Sequence, residues 1–201
     1  NNAIDDAVYS FDASKREEMR RQLGLTGELV IGHVGRFNPQ KNHPFLLDIF
    51  AALLKKEPNA VLLLVGGGAD MPKIQAKAQE LGIAERVRFL GVRSDVADLM
   101  QAMDVFVFPS LYEGLPVTMV EAQASGLPCI ISDKVPPECI LTDGLVNIMP
   151  LSANPETWAE KILSMRAVPR TDRREEIAAH GFDISTEAVK LQEFYIKSVE
   201  K

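Results

Sequence analysis

The sequence has few residues suited to disulfides or metal sites. It contains two cysteines, Cys129 and Cys139, and three histidines, and these form no CxxC or HExxH pattern. Two thiols cannot build a disulfide framework, and the spacing of a zinc site is missing. We therefore expect a reducing, cytoplasmic environment and no bound metal or other cofactor.

Long apolar runs and an excess of positive charge are also missing. No run approaches the roughly 20 residues that a membrane-spanning helix needs, and the opening NNAIDDAVYSFD lacks the cationic region of a secretory leader. The 22 Lys and Arg residues are outnumbered by 28 Asp and Glu residues, which gives a net charge of −6. Non-specific nucleic-acid binding requires a basic surface, so we expect no nucleic-acid partner and at most a local site for a small anion.

What the sequence does contain is the composition and rhythm of a folded α/β domain. Hydrophobic residues make up 46% and charged residues 25% of the chain, which is ordinary globular usage. Short apolar runs predict strands at Leu29–Val34, Val61–Val65, Val87–Leu90, Val105–Phe108, Pro128–Ile131 and Leu145–Met149. Stretches of helical period predict helices at Ser14–Leu23, His43–Lys56, Met71–Leu81, Asp95–Met103, Val117–Ser125 and Pro155–Met165. Continuous apolar strands between helices are typical of a doubly wound, mostly parallel, Rossmann-like sheet.

Capping residues place the first and last helices. Ser14, with Glu17 three residues on, is predicted to cap the first helix, which ends before Gly24. A terminal amphipathic helix is predicted to begin with Asp183 or Ser185 as its cap.

The loop after the first predicted strand carries two cations. In a doubly wound sheet, the loops at the carboxyl ends of the strands line the ligand crevice. Gly35 allows close approach of the backbone, and Arg36 and Lys41 lie five positions apart. They could neutralise a diphosphate, Arg36 as a planar fork and Lys41 as a point charge. The alternative is an exposed loop with two ordinary charges.

A second loop leads into a predicted helix within GLPVTMVEAQASG. Pro116 suits the first turn of this helix, and Gly126 suits its end. The amides near Leu115, Val117 and Thr118 would then be free donors at the positive end of the helix dipole, which is suited to an anion. A well-capped helix with nothing bound is the alternative.

Two glutamates bracket this turn. Glu113 lies in the loop and Glu121 lies a turn inside the helix, so each could bind a different part of one ligand. A carboxylate only accepts hydrogen bonds, which suits hydroxyls of a sugar ring for Glu113 and a ribose diol for Glu121. Solvated surface charges are the alternative.

The glycine triplet that follows the second strand gives a weaker signal. Gly66, Gly67 and Gly68 do not complete GxGxxG, because position 71 is Met71. The triplet leaves room for a nucleotide or forms a plain tight turn, and Arg93 is expected to be solvent-exposed.

Four further residues are interpreted as structural. We expect His33 to be a hydrogen-bonded core histidine, Cys129 to be packed in a strand, and His43 to begin a helix. Ser110 lacks a GxSxG elbow, which argues against a hydrolase triad.

Taken together, the segments GRFNPQKN, LLLVGGG, VRFLG and VFVFPSLYEGLPVTMVEAQASGLPCIISD resemble a known family. They are similar to the C-terminal, donor-binding half of retaining GT-B glycosyltransferases of family four, which includes capsule and exopolysaccharide enzymes. The most specific element is the E-x7-E box from Glu113 to Glu121. One departure is Asn42, since many relatives have Gly after the lysine that matches Lys41.

The resemblance implies roles for individual residues. Arg36 and Lys41 would bind the diphosphate, Glu113 the transferred sugar, and Glu121 the ribose, which makes Glu113, Arg36 and Lys41 the catalytic candidates. The donor-binding candidates are Gly35, Gly66, Gly67, Gly91, Val92, Gly114, Leu115, Pro116, Val117, Thr118 and Glu121, with backbone near Gly91 and Val92 meeting the base.

The resemblance also implies an organisation and a reaction. Residues 1–24 would form the inter-domain linker and first helix, 25–180 the nucleotide-sugar domain, and 181–201 a helix that crosses to an acceptor-binding N-terminal half not included here. The implied reaction transfers sugar from a nucleotide donor, UDP by default, to a sugar or lipid-linked acceptor, with retention and without metal. We expect the chain alone to be inactive, and the complete enzyme to be at most peripheral to a membrane. The alternatives are half of a nucleotide-sugar 2-epimerase and a non-catalytic nucleotide-binding or interaction module.

Overall fold

The computed structural model describes residues 3–199, so the outer ends of the predicted linker and terminal helix, residues 1, 2, 200 and 201, lie outside the described residues. The strands are β1 (Val30–Val34), β2 (Val61–Val65), β3 (Val87–Gly91), β4 (Val105–Phe108), β5 (Cys129–Ser132) and β6 (Val146–Met149). The helices are α1 (Asp6–Tyr9), α2 (Ala13–Gln22), α3 (His43–Leu54), α4 (Met71–Glu80), α5 (Val96–Ala102), α6 (Val117–Ala124), α7 (Pro155–Met165), α8 (Arg174–Ala179) and α9 (Ile184–Val199).

The six strands form one parallel sheet in the order β3-β2-β1-β4-β5-β6. This is the doubly wound Rossmann order, and it confirms the predicted fold class. The direction of winding reverses between β1 and β4, where Ile31 pairs with Val105. In folds of this order, ligands bind at the sheet's carboxyl edge near the loops that follow these two strands.

Both faces of the sheet are buried, which explains the continuous apolar strands. In β4, Val105 and Val107 pack in the cluster that includes α3, α4 and α7. The alternating residues Phe106 and Phe108 pack in a second cluster with α2, α5 and α6. Since each strand supplies both clusters, the sheet gives the loops at its edge a rigid base.

The helix caps correct the predicted cap of the first helix and decide between the two caps predicted for the last one. Asp12, not Ser14, caps α2, because its carboxylate accepts hydrogen bonds from the amides of Ser14 and Lys15. At α9, Asp183 rather than Ser185 is the cap, since Asp183 accepts from the amides of Ser185 and Thr186. The short helices α1 and α8 were not predicted, because four and six residues give too little period to detect.

The first and last described segments are joined to each other. The amide of Ile4 donates to the carbonyl of Phe182 at 2.8 Å, and the amide of Ile184 donates to the carbonyl of Ile4 at 2.9 Å. Ile4 and Phe182 also share a small core cluster with Val120 of α6. The segment before the sheet is therefore fixed against α6.

The terminal helix α9 exposes several apolar side chains. The exposed residues are Ile184, Val189, Leu191, Phe194, Tyr195 and Ile196. Within residues 3–199, none of the helices has the length and apolar character required to span a bilayer.

The glycines that end α2 and α6 allow a matched test of how closely the backbone at residue 171 packs on the end of α6. Gly24 and Gly126 have φ angles of +62° and +58°, but a Cβ at Gly24 would meet nothing, whereas one at Gly126 would overlap the Thr171 carbonyl oxygen. We expect Gly24→Ala to cost about 1 kcal/mol from backbone strain alone, and Gly126→Ala about 2–4 kcal/mol. Urea unfolding measures both, and equal losses would contradict the close packing of residue 171 on α6.

Candidate functional site

The loops after β1 and β4 meet at the switch point through one ion pair. Lys41 Nζ lies 2.7 Å from Glu113 Oε1, and the two side chains are only 14% and 5% exposed. Two of the residues selected from the sequence, 72 positions apart, are thus in direct contact.

The loop after β1 is shaped to direct Lys41 towards this contact. Asn38 caps a short 3₁₀ turn, Pro39–Lys41, by accepting from the Lys41 amide at 3.2 Å. Asn42 then adopts the left-handed conformation at φ +54°, and its side chain donates to the Pro109 carbonyl at 3.1 Å. Asn is among the few non-glycine residues that adopt this conformation readily, so Asn42 can take the place of the Gly that the sequence resemblance leads us to expect.

Gln40 holds the other side of Glu113 and was missed in the sequence. Its Nε2 donates to Glu113 Oε2 at 3.0 Å and to the Tyr112 carbonyl at 3.1 Å. The Gln40 carbonyl also accepts from the Leu111 amide at 2.8 Å. No local pattern marks Gln40, because its role depends on the β1–β4 pairing that brings the two loops together.

Arg36 lines a neighbouring cleft and is exposed. In residues 3–199 its side chain makes no ion pair or hydrogen bond. The cleft has a volume of about 710 Å³ and is lined by Val34, Gly35, Arg36, Val65, Gly66, Gly67, Gly68, Val92, Arg93 and Val96. Val92 is 83% exposed. Arg93 is exposed as expected and pairs with Asp95.

The glycine triplet allows the loop after β2 to pack directly against the backbone of the β1 loop. A Cβ at Gly66, at φ +135°, would overlap the Gly35 carbonyl oxygen, and one at Gly68 would overlap the Phe37 carbonyl oxygen. The Phe37 amide donates to the Gly67 carbonyl at 3.0 Å. Gly66 and Gly68 are therefore required by contact between two loops, which differs from the expected vacant space or plain turn.

The N-terminus of α6 points free amides at the crevice edge. Pro116 is the N-cap and not part of the first turn as predicted, because its ψ of 102° is extended and the helix begins at Val117. Within the described part of the chain, the amides of Leu115, Val117 and Thr118 donate no hydrogen bond, and no side chain caps the helix. Gly114 before them is exposed. This end of α6 therefore offers unpaired donors to an anion.

Glu121 lies one turn further along α6 and contacts Tyr9 instead of the two cations. Its Oε1 accepts from the Tyr9 hydroxyl at 2.7 Å. Burial raises the pKa of Glu121, while the hydrogen bond from Tyr9 acts in the opposite direction. Burial and the nearby Glu121 raise the pKa of Tyr9 above its usual range, so the tyrosine is the donor. Tyr9, from α1, was not anticipated from the sequence.

The residues interpreted as structural are buried. His33 Nδ1 lies 2.9 Å from the Val107 carbonyl, but within residues 3–199 its Nε2 and both nitrogens of His43 have no hydrogen-bond partner, so His33 is only half satisfied. Burial lowers the pKa of His33 strongly and that of His43 to about 4, so both rings are neutral near pH 7. Cys129 is packed in β5, and burial raises its thiol pKa. Ser110 is also buried.

Across residues 3–199, no cluster of three or more His, Cys, Asp or Glu side chains is arranged to hold a metal ion.

Comparison with known proteins identifies the family. Residues 15–181 match the family described as Glycosyl transferases group 1, and the chain belongs to this family. EpsF of Bacillus subtilis (strain 168), provisionally named a glycosyltransferase, is 39% identical over 204 residues, which cover 100% of this chain and 53% of EpsF. UDP-Gal:alpha-D-GlcNAc-diphosphoundecaprenol alpha-1,3-galactosyltransferase of Escherichia coli is 30% identical, with coverage of 98% and 53%. The chain thus spans about half the length of these relatives.

Solved structures agree on the fold. Sucrose-phosphate synthase from Thermosynechococcus elongatus has a TM-score of 0.83 and 26% identity, over 98% of this chain and 51% of that one. Anabaena HepE in complex with UDP and glucose has a TM-score of 0.81 and 24% identity, over 98% and 56%. The resemblance to the C-terminal half of GT-B glycosyltransferases is therefore confirmed.

Because Glu113 is nearly buried, its ion pair with Lys41 should contribute measurably to stability. We expect Lys41→Met to destabilise the fold by about 2–4 kcal/mol, since it leaves a carboxylate without its cation. Adding Glu113→Gln should recover part of that loss, with a coupling energy of about 1–3 kcal/mol in urea unfolding.

The pair Lys56–Glu160, whose side chains are 42% and 63% exposed, is the matched control. The same substitutions there should give no coupling energy above the error of the measurement, because solvent screens this exposed pair. If the two pairs couple equally, the Lys41–Glu113 contact does not bind the loops together.

Proposed function

We propose that the chain is the donor-binding half of a retaining glycosyltransferase and takes a nucleoside-diphosphate sugar at the β1–β4 switch point. The observation that carries this proposal is the Lys41–Glu113 pair, which joins the two loops across the switch point. The same β1 loop carries Arg36, whose side chain has no partner within residues 3–199 and lines a cleft. Such a cation, in the same loop as Lys41, together with the free amides at the helix end that follows the second loop, is suited to a dianionic group.

The diphosphate is proposed to lie between Arg36, Lys41 and the amino end of α6. Lys41 can contact Glu113 and a phosphate together, because an ammonium group has three donors. The sequence contains no D-x-D pair, and we propose that these fixed cations and amides, without an essential metal, stabilise the charge on the departing diphosphate.

The two glutamates are proposed to bind the sugars. Glu113 already accepts from Lys41 and Gln40, but an ionised carboxylate has about four acceptor sites, so it can also accept from the hydroxyls of the transferred sugar. Glu121 would bind the ribose, and the exposed backbone near Gly91 and Val92 would meet the base. The loop amides of Gly114 to Thr118 would complete the contacts with phosphate or sugar.

Names of similar proteins support UDP as the first donor to test. HepE was solved with UDP and with UDP-glucose, and the Escherichia coli relative is named for UDP-Gal. EpsF and a Vi polysaccharide biosynthesis protein of Salmonella typhi are also similar, so we propose a role in polysaccharide or glycoconjugate synthesis. The acceptor, a sugar or a lipid-linked sugar, would be bound by the other half of a cytoplasmic or peripherally attached enzyme.

The family match favours the transferase over the 2-epimerase half. A non-catalytic nucleotide module would share the fold and the cleft, so binding and transfer must be measured separately.

Calorimetry with UDP, GDP and ADP tests the binding site. We expect one nucleotide to bind, and Arg36→Ala and Glu121→Ala each to weaken it about tenfold or more, because each loses a hydrogen bond that involves a charged group. Lys55→Ala is the matched control, since Lys55 follows α3 at the opposite edge of the sheet and is 74% exposed. Affinity unchanged by both site substitutions would favour an interaction module.

The chain alone is expected to bind donor without transferring sugar, because the relatives are about twice as long and the proposed acceptor site lies in their other half. The assay follows the release of UDP from UDP-glucose and UDP-galactose in the presence of mono- and disaccharide acceptors. Turnover above that of an Arg36→Ala, Glu113→Gln double variant would overturn this expectation.

A further inference from the structure

Tyr9 lies outside the set of residues proposed to bind the donor, but it contacts one of them directly. Its hydroxyl donates to Glu121 Oε1 at 2.7 Å across 112 positions of sequence. It comes from α1, before the sheet begins, so neither the E-x7-E box nor the strand loops point to it. The inference below rests on the proposed function, since it concerns Glu121 as a ribose ligand.

The side chain of Tyr9 is held by packing. Tyr9 packs against the small core cluster that contains Ile4, Phe182 and Val120. Leu115 and Val117, which flank the N-cap of α6, pack against the same cluster. The same cluster contains Val120, the residue before Glu121. Tyr9 and the amino end of α6 are therefore parts of one packed unit, and the hydroxyl has little freedom to leave the carboxylate.

The backbone around Tyr9 is fixed as well. The Tyr9 carbonyl accepts from Gln101 Nε2 at 3.2 Å, and Gln101 is fully buried in α5. Further back, Ile4 is hydrogen-bonded to Phe182 and Ile184. The short helix α1 thus has anchors on both sides, although four residues alone would not form a stable helix.

This arrangement leaves one half of the carboxylate available. Oε1 of Glu121 is occupied by Tyr9, while within residues 3–199 no side chain or amide donates to Oε2. A long glutamate side chain loses rotamer freedom when it binds a ligand, and this cost falls when the carboxylate is already held in place.

We propose that Tyr9 is a positioning residue that fixes the Glu121 carboxylate so that its free oxygen accepts hydrogen bonds from the ribose diol of the donor. The hydroxyl also favours the ionised carboxylate, because a hydrogen bond donated to the charged form stabilises it against the effect of burial. Tyr9 itself touches no substrate in this scheme.

The test compares Tyr9→Phe with Tyr195→Phe, a matched control at an exposed tyrosine on α9. The first probe is whichever of UDP, GDP and ADP binds most tightly, and the second is the 2′,3′-dideoxy form of that same nucleotide. Both affinities are measured by calorimetry on the 201-residue chain. We expect Tyr9→Phe to weaken the ribonucleotide about three- to tenfold and the dideoxy nucleotide less than about twofold, with no change for Tyr195→Phe.

A second comparison guards against general loss of structure in the variant. Glu121→Gln removes the carboxylate that Tyr9 is proposed to position. When Tyr9→Phe is added to this variant, the change in the logarithm of the ribonucleotide Kd should therefore be less than about half of the change that Tyr9→Phe causes in the unmodified chain. An equal loss for both nucleotides, or an undiminished loss in the Glu121→Gln background, would show a merely structural role and overturn the proposal.

The remaining outcomes separate the two proposals. If the unmodified chain binds a nucleotide through Arg36 and Tyr9→Phe binds it equally well, the proposal for Tyr9 is wrong while the proposed function stands. If the unmodified chain binds none of the three nucleotides, the proposed function fails and the proposal for Tyr9 fails with it.

Discussion

The contact between Lys41 and Glu113 is the interaction on which the rest of the site depends. In this strand order the chain winds in opposite directions from β1 and β4. The Lys41–Glu113 ion pair, together with the hydrogen bond from the side-chain amide of Gln40 to Glu113, joins the loops that follow these two strands. Because both charged side chains are largely removed from solvent, the attraction is screened far less than that of a surface pair. It joins the loop that carries both cations to the loop that leads into α6.

A second set of contacts fixes the other side of the site from outside the sheet. The segment from Ile4 to Tyr9 is hydrogen-bonded to residues 182–184 and packed on α6. Glu113 is thus held by residues of the β1 loop, and Glu121 by a residue that precedes the sheet. Both glutamates of the E-x7-E box are held by protein donors and still have acceptor capacity for a ligand.

The fold followed from the sequence because the relevant forces are local or periodic. Runs such as Val61–Val65 and Val105–Phe108 are apolar at every position, as strands buried on both faces must be, and the observed strands lie within about two residues of the predicted ones. The loops with Arg36 and Glu113 are selected from the sequence because the edge of such a sheet is where ligands bind. Asp12 was missed as a cap because its neighbour Ser14 offered the more familiar spacing with Glu17.

Contacts that depend on tertiary packing could not be predicted in this way. Gln40 and Tyr9 have no local signature, since each acts on a carboxylate far away in the sequence, across 73 and 112 positions. The sequence predicts room for a nucleotide or a plain tight turn at Gly66 and Gly68, because only the folded chain shows the carbonyls of the β1 loop next to them. The φ of +54° at Asn42 is likewise visible only in the folded chain.

The most direct test of the central claim is a crystal structure of the chain with UDP, or with GDP or ADP if one of these binds more tightly. The account predicts phosphate oxygens within hydrogen-bond distance of Arg36, of Lys41 and of an amide between Leu115 and Thr118, with Lys41 still within reach of Glu113. A diphosphate bound elsewhere, or bound in the cleft without either cation, would contradict it.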